Sequence, residues 1–149
     1  MVKENTIHMK GGVITERDPE FCTIRTRIPA GVITSDMLRG IAGIAEKYQA
    51  PYVHITTRQT LELPHIHHGY LDEISRDLSE TGTPVGSERD EIVNITSCPG
   101  IERCVFANID SLSLANEIDR RLFRKEMPVK IRIAISACPN GCTSPMLNE

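Results

Sequence analysis

The sequence predicts an α+β protein made of two small units. Three observations carry this expectation. Some stretches alternate apolar and polar residues with a period of two. Others carry an apolar stripe at three- and four-residue spacing. Their order is strand, strand, helix, strand, helix, followed by a shorter strand, helix, strand. The 149 residues suffice for one ordinary domain or two small ones. With 40% hydrophobic and 25% charged residues, the composition is that of a soluble globular chain.

Residues Ile7 to Glu16 read as extended, with Gly11-Gly12 marking a turn or bulge. Phe21 to Ile28 alternates as a strand and is closed by Pro29-Ala30-Gly31. A helix follows, with Thr34 or Ser35 as N-cap, Asp36 in its first turn, and an apolar stripe of Met37, Leu38, Ile41, Ile44, Ala45 and Tyr48. The small Gly40 and Gly43 let this helix sit close on a sheet. Tyr52 to Leu63 is long enough for one bent strand or two short ones. A second helix is expected from about His67 to Glu80, burying Leu71, Ile74 and Leu78, and the loop Thr81–Gly86 ends it.

The second unit opens with a strand at Ile92–Thr96 that runs into Cys98-Pro99-Gly100. A helix over Ser111–Lys125 should bury Leu114, Ile118 and Leu122, and Met127-Pro128 breaks it. Lys130–Ser136 alternates, with Ile131, Ile133 and Ile135 on one face, and leads into Cys138-Pro139-Asn140-Gly141-Cys142. The boundary between the units falls near residue 83, giving segments 1–83 and 84–149.

Seventeen basic against twenty acidic residues give a net charge of −3, which argues against nucleic-acid or anionic-membrane binding driven by total charge. No apolar run approaches the ~20 residues of a membrane span, and Met1-Val2-Lys3-Glu4-Asn5 has no secretory h-region. A cytoplasmic protein is expected. Tryptophan is absent, and aromatics at 4% offer no stacking platform for single-stranded nucleic acid.

Five cysteines in a reducing compartment do not form a disulfide framework, and an odd count would leave one thiol over. Cys98 and Cys104 form a C-x5-C pair, and Cys138 and Cys142 a C-x3-C pair, each directly after an expected strand. Two neighbouring strands could deliver all four thiolates to one point. Soft thiolate ligands suit an iron–sulfur cluster or zinc, and C-x5-C fits the tighter zinc knuckles poorly. Buried free thiols are the plain alternative, since cysteine is often a core residue. Four of five falling in two short pairs argues for a metal centre. Pro99 and Pro139 stiffen the turns, and Gly100 and Gly141 let backbone approach a bulky group. Cys22 reads as an ordinary strand thiol.

Cations recur at every second position on three stretches: Arg25 and Arg27, Arg58 within Thr56-x-Arg58-x-Thr60, and Lys130 and Arg132. Thr56, Arg58, Thr60 and Glu62 share one strand face in this reading. A solvated sheet face explains any one of these stretches alone. Together they carry five cations against one carboxylate in a chain of negative net charge, which points to a held anion. His65-Ile66-His67-His68 reads as a solvated helix start rather than a metal site. His8 and His54 carry no assignment.

The run Ile24-Arg25-Thr26-Arg27-Ile28-Pro29-Ala30-Gly31-Val32-Ile33-Thr34 resembles the opening signature of the sulfite and nitrite reductase sirohaem family. His54-Ile55-Thr56-Thr57-Arg58-Gln59-Thr60 resembles its second signature, the two cysteine pairs its cluster motif, and Pro128-Val129-Lys130-Ile131-Arg132 its basic strand. The resemblance implies a ferredoxin-like half-domain over 1–83, then a partial sirohaem and 4Fe–4S domain over 84–149. It implies that Cys98, Cys104, Cys138 and Cys142 bind the cluster, with Cys142 also bridging to the sirohaem iron. Arg25, Thr56, Arg58 and Thr60 would touch the sirohaem. Arg27, Lys130 and Arg132 would face the pocket where sulfite or nitrite is reduced. A low-potential donor such as ferredoxin would supply electrons.

The sequence departs from the family at three points. Val93 stands where an arginine often precedes Asn94, and Glu62 where glutamine often faces the haem. The chain also ends at Glu149, soon after Cys142, so a second copy, a partner subunit or further C-terminal sequence is expected to close the pocket. Two other functions remain open: a 4Fe–4S electron-transfer or scaffold protein without sirohaem, and a zinc-binding interaction domain.

Overall fold

Strand β1 (Val13–Thr15) runs antiparallel to β2 (Phe21–Arg25), pairing Val13 with Ile24 and Thr15 with Cys22. The computed structural model describes residues 11–87 and 90–147; the start of the expected extended stretch, from Ile7 to Lys10, and His8 with it, lie outside them. Strands β3 (His54–Ile55) and β4 (Leu61–His67) complete a four-stranded antiparallel sheet in the order β1-β2-β4-β3. The stretch Tyr52–Leu63 is thus two strands joined by a turn. Between Cys22↔Ile66 and Ile24↔Leu63 the register shifts by one residue, a bulge in β4 that leaves His65 at φ 62. The His65-Ile66-His67 run is therefore strand. The second helix starts only after a short 3-10 turn at residues 68–70.

Helices α1 (Ser35–Lys47) and α2 (Leu71–Glu80) cover one face of the sheet. Thr34 caps α1 by accepting a hydrogen bond from the Met37 amide at 3.2 Å. Cys22, Ile24, Leu63 and Ile66 of the sheet meet Ile41, Ile44, Tyr48, Ile74 and Leu78 of the helices in the first core. Each such aliphatic side chain contributes roughly 1.5–3 kcal/mol on burial. Gly40 makes its close approach to Thr81, whose Cγ2 would lie 2.6 Å from an added Cβ, rather than to the sheet. Cys22 is fully buried, which together with nearby Glu16 pushes its thiol up to about 11.

In the second unit β5 (Thr96–Ser97) pairs in parallel with β6 (Ala134–Ile135), and α3 (Ser111–Leu122) packs beside them. Both strands are shorter than the alternating runs that contain them, although an isolated parallel bridge joins Ile92 to Ile131. The buried face of α3 is Ser111, Ala115 and Asp119, one position round from the expected stripe, and Leu114 is 42% exposed. The small Ala115 lets the helix close on Ile95 and on Ala30, which the first unit contributes to the second core. The Ala30 amide donates to Ile95 O at 3.1 Å, so the turn at residues 29–31 ties the two units together.

Candidate functional site

The parallel pairing of β5 with β6 sends both chains out of the sheet in the same direction, toward Cys98 on one and Cys138 on the other. The loops then bond to each other. The Ala137 amide donates to Cys98 Sγ at 3.2 Å, and the Asn108 amide donates to Ala137 O at 3.0 Å. Ser111 Oγ lies 3.4 Å from Cys98 Sγ. Burial acts to raise the Cys98 thiol, but the bonds from Ser111, Ala137 and Gly100 outweigh it and favour thiolate. Exposure increases from buried Cys98, through half-buried Cys104 and Cys138, to exposed Cys142.

A soft donor set spread over two converging loops, with one sulfur already accepting amide hydrogen bonds, fits a multi-iron cluster. Among the described residues no three His, Cys, Asp or Glu side chains gather closely enough for a single metal ion. Gly100 and Gly141 both take positive φ. The space beside Gly100 is filled by Ser111, whose Oγ would lie 2.5 Å from an added Cβ, so that glycine admits the start of α3 rather than a bulky ligand.

Beside Cys142 opens a cavity of about 610 Å³ lined by Thr57, Arg58, Gln59, Thr96, Arg132, Cys142, Thr143 and Ser144. A smaller hollow of about 340 Å³ shares Thr57 and Arg58 with it and includes Arg25, Thr56 and Glu62. Cations from three separate stretches therefore face one region. Burial, then repulsion from Arg25 and Arg132, makes the Arg58 guanidinium less basic, with Glu62 partly offsetting this. Burial, then Arg58, Arg132 and Arg25, lowers the Lys130 ammonium.

Not every expected residue reaches the cavity. Thr56–Thr60 is a tight turn closed by the Thr56 amide on Thr60 O at 2.9 Å, so Thr56, Arg58, Thr60 and Glu62 do not share one strand face. Thr60 is buried, and its hydroxyl is 2.8 Å from that of Thr56, bracing the turn from inside. Arg25 bonds Glu62 through Nε at 2.8 Å, and His54 Nδ1 lies 2.9 Å from the other carboxylate oxygen. Burial raises the Glu62 carboxyl, but His54 and Arg25 together bring it below its ordinary range, so its charge is matched within the protein. β2 ends at Arg25, and Arg27 turns toward α3. There it pairs with buried Asp119 and lies 4.1 Å over the Phe123 ring, and it does not line the 610 Å³ cavity. Val93 is buried in the protein interior.

Two residues that sequence reasoning passed over hold the site together. Asn94 donates to Arg58 O at 2.8 Å and accepts from the Ile28 amide at 3.0 Å. A lone carboxamide inside the apolar run Ile92-Val93-Asn94-Ile95 was the available signal, because a buried amide requires partners. Gln59 bonds both backbone groups of Ser97. Nothing in the polar turn sequence marks it.

Residues 14–81 match the nitrite/sulfite reductase ferredoxin-like half domain, and residues 88–148 match the nitrite and sulphite reductase 4Fe-4S domain. The chain belongs to the nitrite and sulfite reductase family. An uncharacterized protein of Methanocaldococcus jannaschii is 36% identical over 137 residues, covering 92% of this chain and 48% of that relative. The coenzyme F420-dependent sulfite reductase of the same organism is 33% identical over 129 residues, covering 87% of this chain and 20% of the relative. An assimilatory-type sulfite reductase of Nitratidesulfovibrio vulgaris is 29% identical, over 93% of this chain and 62% of its own length. The chain thus spans only part of the length of these family members. A crystal structure of dissimilatory sulfite reductase I superposes with a TM-score of 0.81 at 26% identity, covering 91% of this chain and 35% of that one. Among the described residues, no helix is long and apolar enough to cross a membrane.

Proposed function

We propose that this chain is one unit of a sirohaem- and 4Fe–4S-dependent reductase of sulfite or nitrite. A single observation carries the reading: one cavity joins Arg58 of the first unit to Arg132 and Cys142 of the second. Cys98, Cys104, Cys138 and Cys142 would hold the cluster. Arg58 and Arg132, with Arg25 and Thr56 at the adjoining hollow, would hold the carboxylates of a sirohaem. Bound there, the two centres would relay low-potential electrons from an external donor to an oxyanion undergoing multi-electron reduction.

The protein's own groups do the rest. The cations attract the anion and neutralise its charge. Lys130 is exposed and lines neither hollow. Its ammonium, lowered by partial desolvation and by Arg58, Arg132 and Arg25, would release a proton more readily than an ordinary lysine if brought to an S–O or N–O bond as it breaks. Arg27, committed to Asp119, would have to leave that pairing to take part. A second copy or a partner subunit would close the open side, and a donor such as ferredoxin would deliver electrons.

The reading is tested by coexpression with sirohaem synthesis and anaerobic purification. A haem-type absorption spectrum with iron and sulfide is the expected result. A protein with an intact cluster and no tetrapyrrole would favour the second reading, an electron-transfer or scaffold protein. That alternative draws on the Arg25–Glu62 pair, which already satisfies one of the cations a sirohaem would need.

A further inference from the structure

Successive residues of a strand present their backbone groups to opposite sides. The amides of Thr96 and Cys98 donate to Ile133 O and Ile135 O, both at 3.1 Å, so β5 faces β6 through those residues. Ser97 between them faces the open edge and is itself buried. Its amide donates to Gln59 Oε1 at 2.8 Å, and its carbonyl accepts from Gln59 Nε2 at 2.9 Å. One carboxamide thus replaces a third strand, satisfying two buried backbone groups one residue before Cys98.

The backbone of Gln59 is shaped for this task. It stands at φ 56 in the Thr56–Thr60 turn, with its amide donating to Thr56 O at 3.2 Å. Gly31 packs against it so closely that an added Cβ would lie 2.8 Å from Gln59 Cβ. The same turn carries Arg58, whose carbonyl Asn94 holds at 2.8 Å. Arg58, which lines the cavity, is therefore tied to the strand leading to Cys98 by two side chains, with Gln59 holding the residue directly before the cysteine.

We infer that Gln59 is a positioning residue that fixes the Cys98 loop relative to the Arg58 turn. The inference rests on the function proposed above only for its consequence at a cluster. The clamp itself is tested in protein without cofactor.

Amide hydrogen exchange, followed by NMR on the cofactor-free full chain, is the deciding experiment. In Q59L the Ser97 amide should exchange at least tenfold faster. The Ala137 amide, which donates to Cys98 Sγ, should follow it, while the amides of Ile74 and Leu78 keep their rates. Should Q59L fail to fold, Q59E carries the test, because its carboxyl can donate to Ser97 O only when protonated. Protection of Ala137 should then be lost at neutral pH and regained in acid. Unchanged exchange at Ser97 and Ala137 in Q59L, or a Q59E profile without acid rescue, would overturn the inference. Iron uptake by the unaltered protein is measured alongside: its absence would sink the cluster reading and leave the exchange result standing.

Discussion

Glu62 shows how a single residue can differ from its sequence reading. By sequence it is a lone carboxylate among cations; in the structure Arg25 and His54 hold it. Its folded carboxyl lies below its ordinary value of 4.5, so the unfolded chain binds more protons in the acid range. The stability it contributes is therefore present above that range and lost as pH falls through the folded value. Urea midpoints measured across acid pH should fall steeply in the unaltered protein and less steeply in E62Q. At neutral pH E62Q should lose on the order of 1.5–3 kcal/mol, the usual worth of hydrogen bonds to a charged group. The pairing was not legible because it depends on the β2–β4 register, which places Arg25 opposite Glu62.

Arg58 and Arg132 make the opposite prediction, because their charges are gathered and mutually repulsive. A polycarboxylate such as citrate should raise the melting temperature of the unaltered protein. At a concentration of about 100 times Kd the stabilisation is near 2.7 kcal/mol, or several degrees for a chain of this size. Thermal denaturation of the R58A/R132A double variant should show little of that shift. Their convergence was expected from the alternation of charge; the diversion of Arg27 to Asp119 was not. Asp119 lies on a helix whose buried face is turned one position from its leucine stripe.

At the scale of elements, helix periodicity locates α1 and α2, because most of each apolar stripe faces a sheet of matching character, although Leu38, expected in the α1 stripe, is 52% exposed. Helix starts were harder to read. β4 continues through a bulge to His67, and the left-handed His65 that makes the bulge stacks on Phe21 with ring centroids 3.8 Å apart. No local pattern announces such a residue. The second unit has shorter strands than its alternating runs imply, since Ile131 meets Ile92 only in an isolated bridge and Ile133 accepts the Thr96 amide just before β6 begins. The caps make direct predictions. T34A and D110A each remove a side-chain acceptor for an N-terminal amide and should cost about 1 kcal/mol by chemical denaturation. G100A should cost more than either. It adds strain at φ 62 and a clash with Ser111, and it should lower iron uptake by displacing the loop between Cys98 and Cys104.

For the whole molecule, the two units are not beads on a string. Ala30 sits in the second core, Arg27 reaches α3, and Gln59 and Asn94 bind the cation turn to the segment leading to Cys98. The sequence motifs lie in four separate runs, and the fold brings the cationic turn, the basic stretch and the last cysteine around one cavity. The resemblance implies that these groups surround one site; what motif spacing does not reveal is how they are held there, by side-chain to backbone bonds across 36 and 38 residues.

Iron and acid-labile sulfide analysis of anaerobically prepared protein, unaltered and as C98S/C138S, tests the central claim most directly. The account predicts about four irons and four sulfides per chain in the unaltered protein and a loss of most of both in the double variant. Zinc in place of iron, or a double variant that keeps its full iron and sulfide, would contradict it.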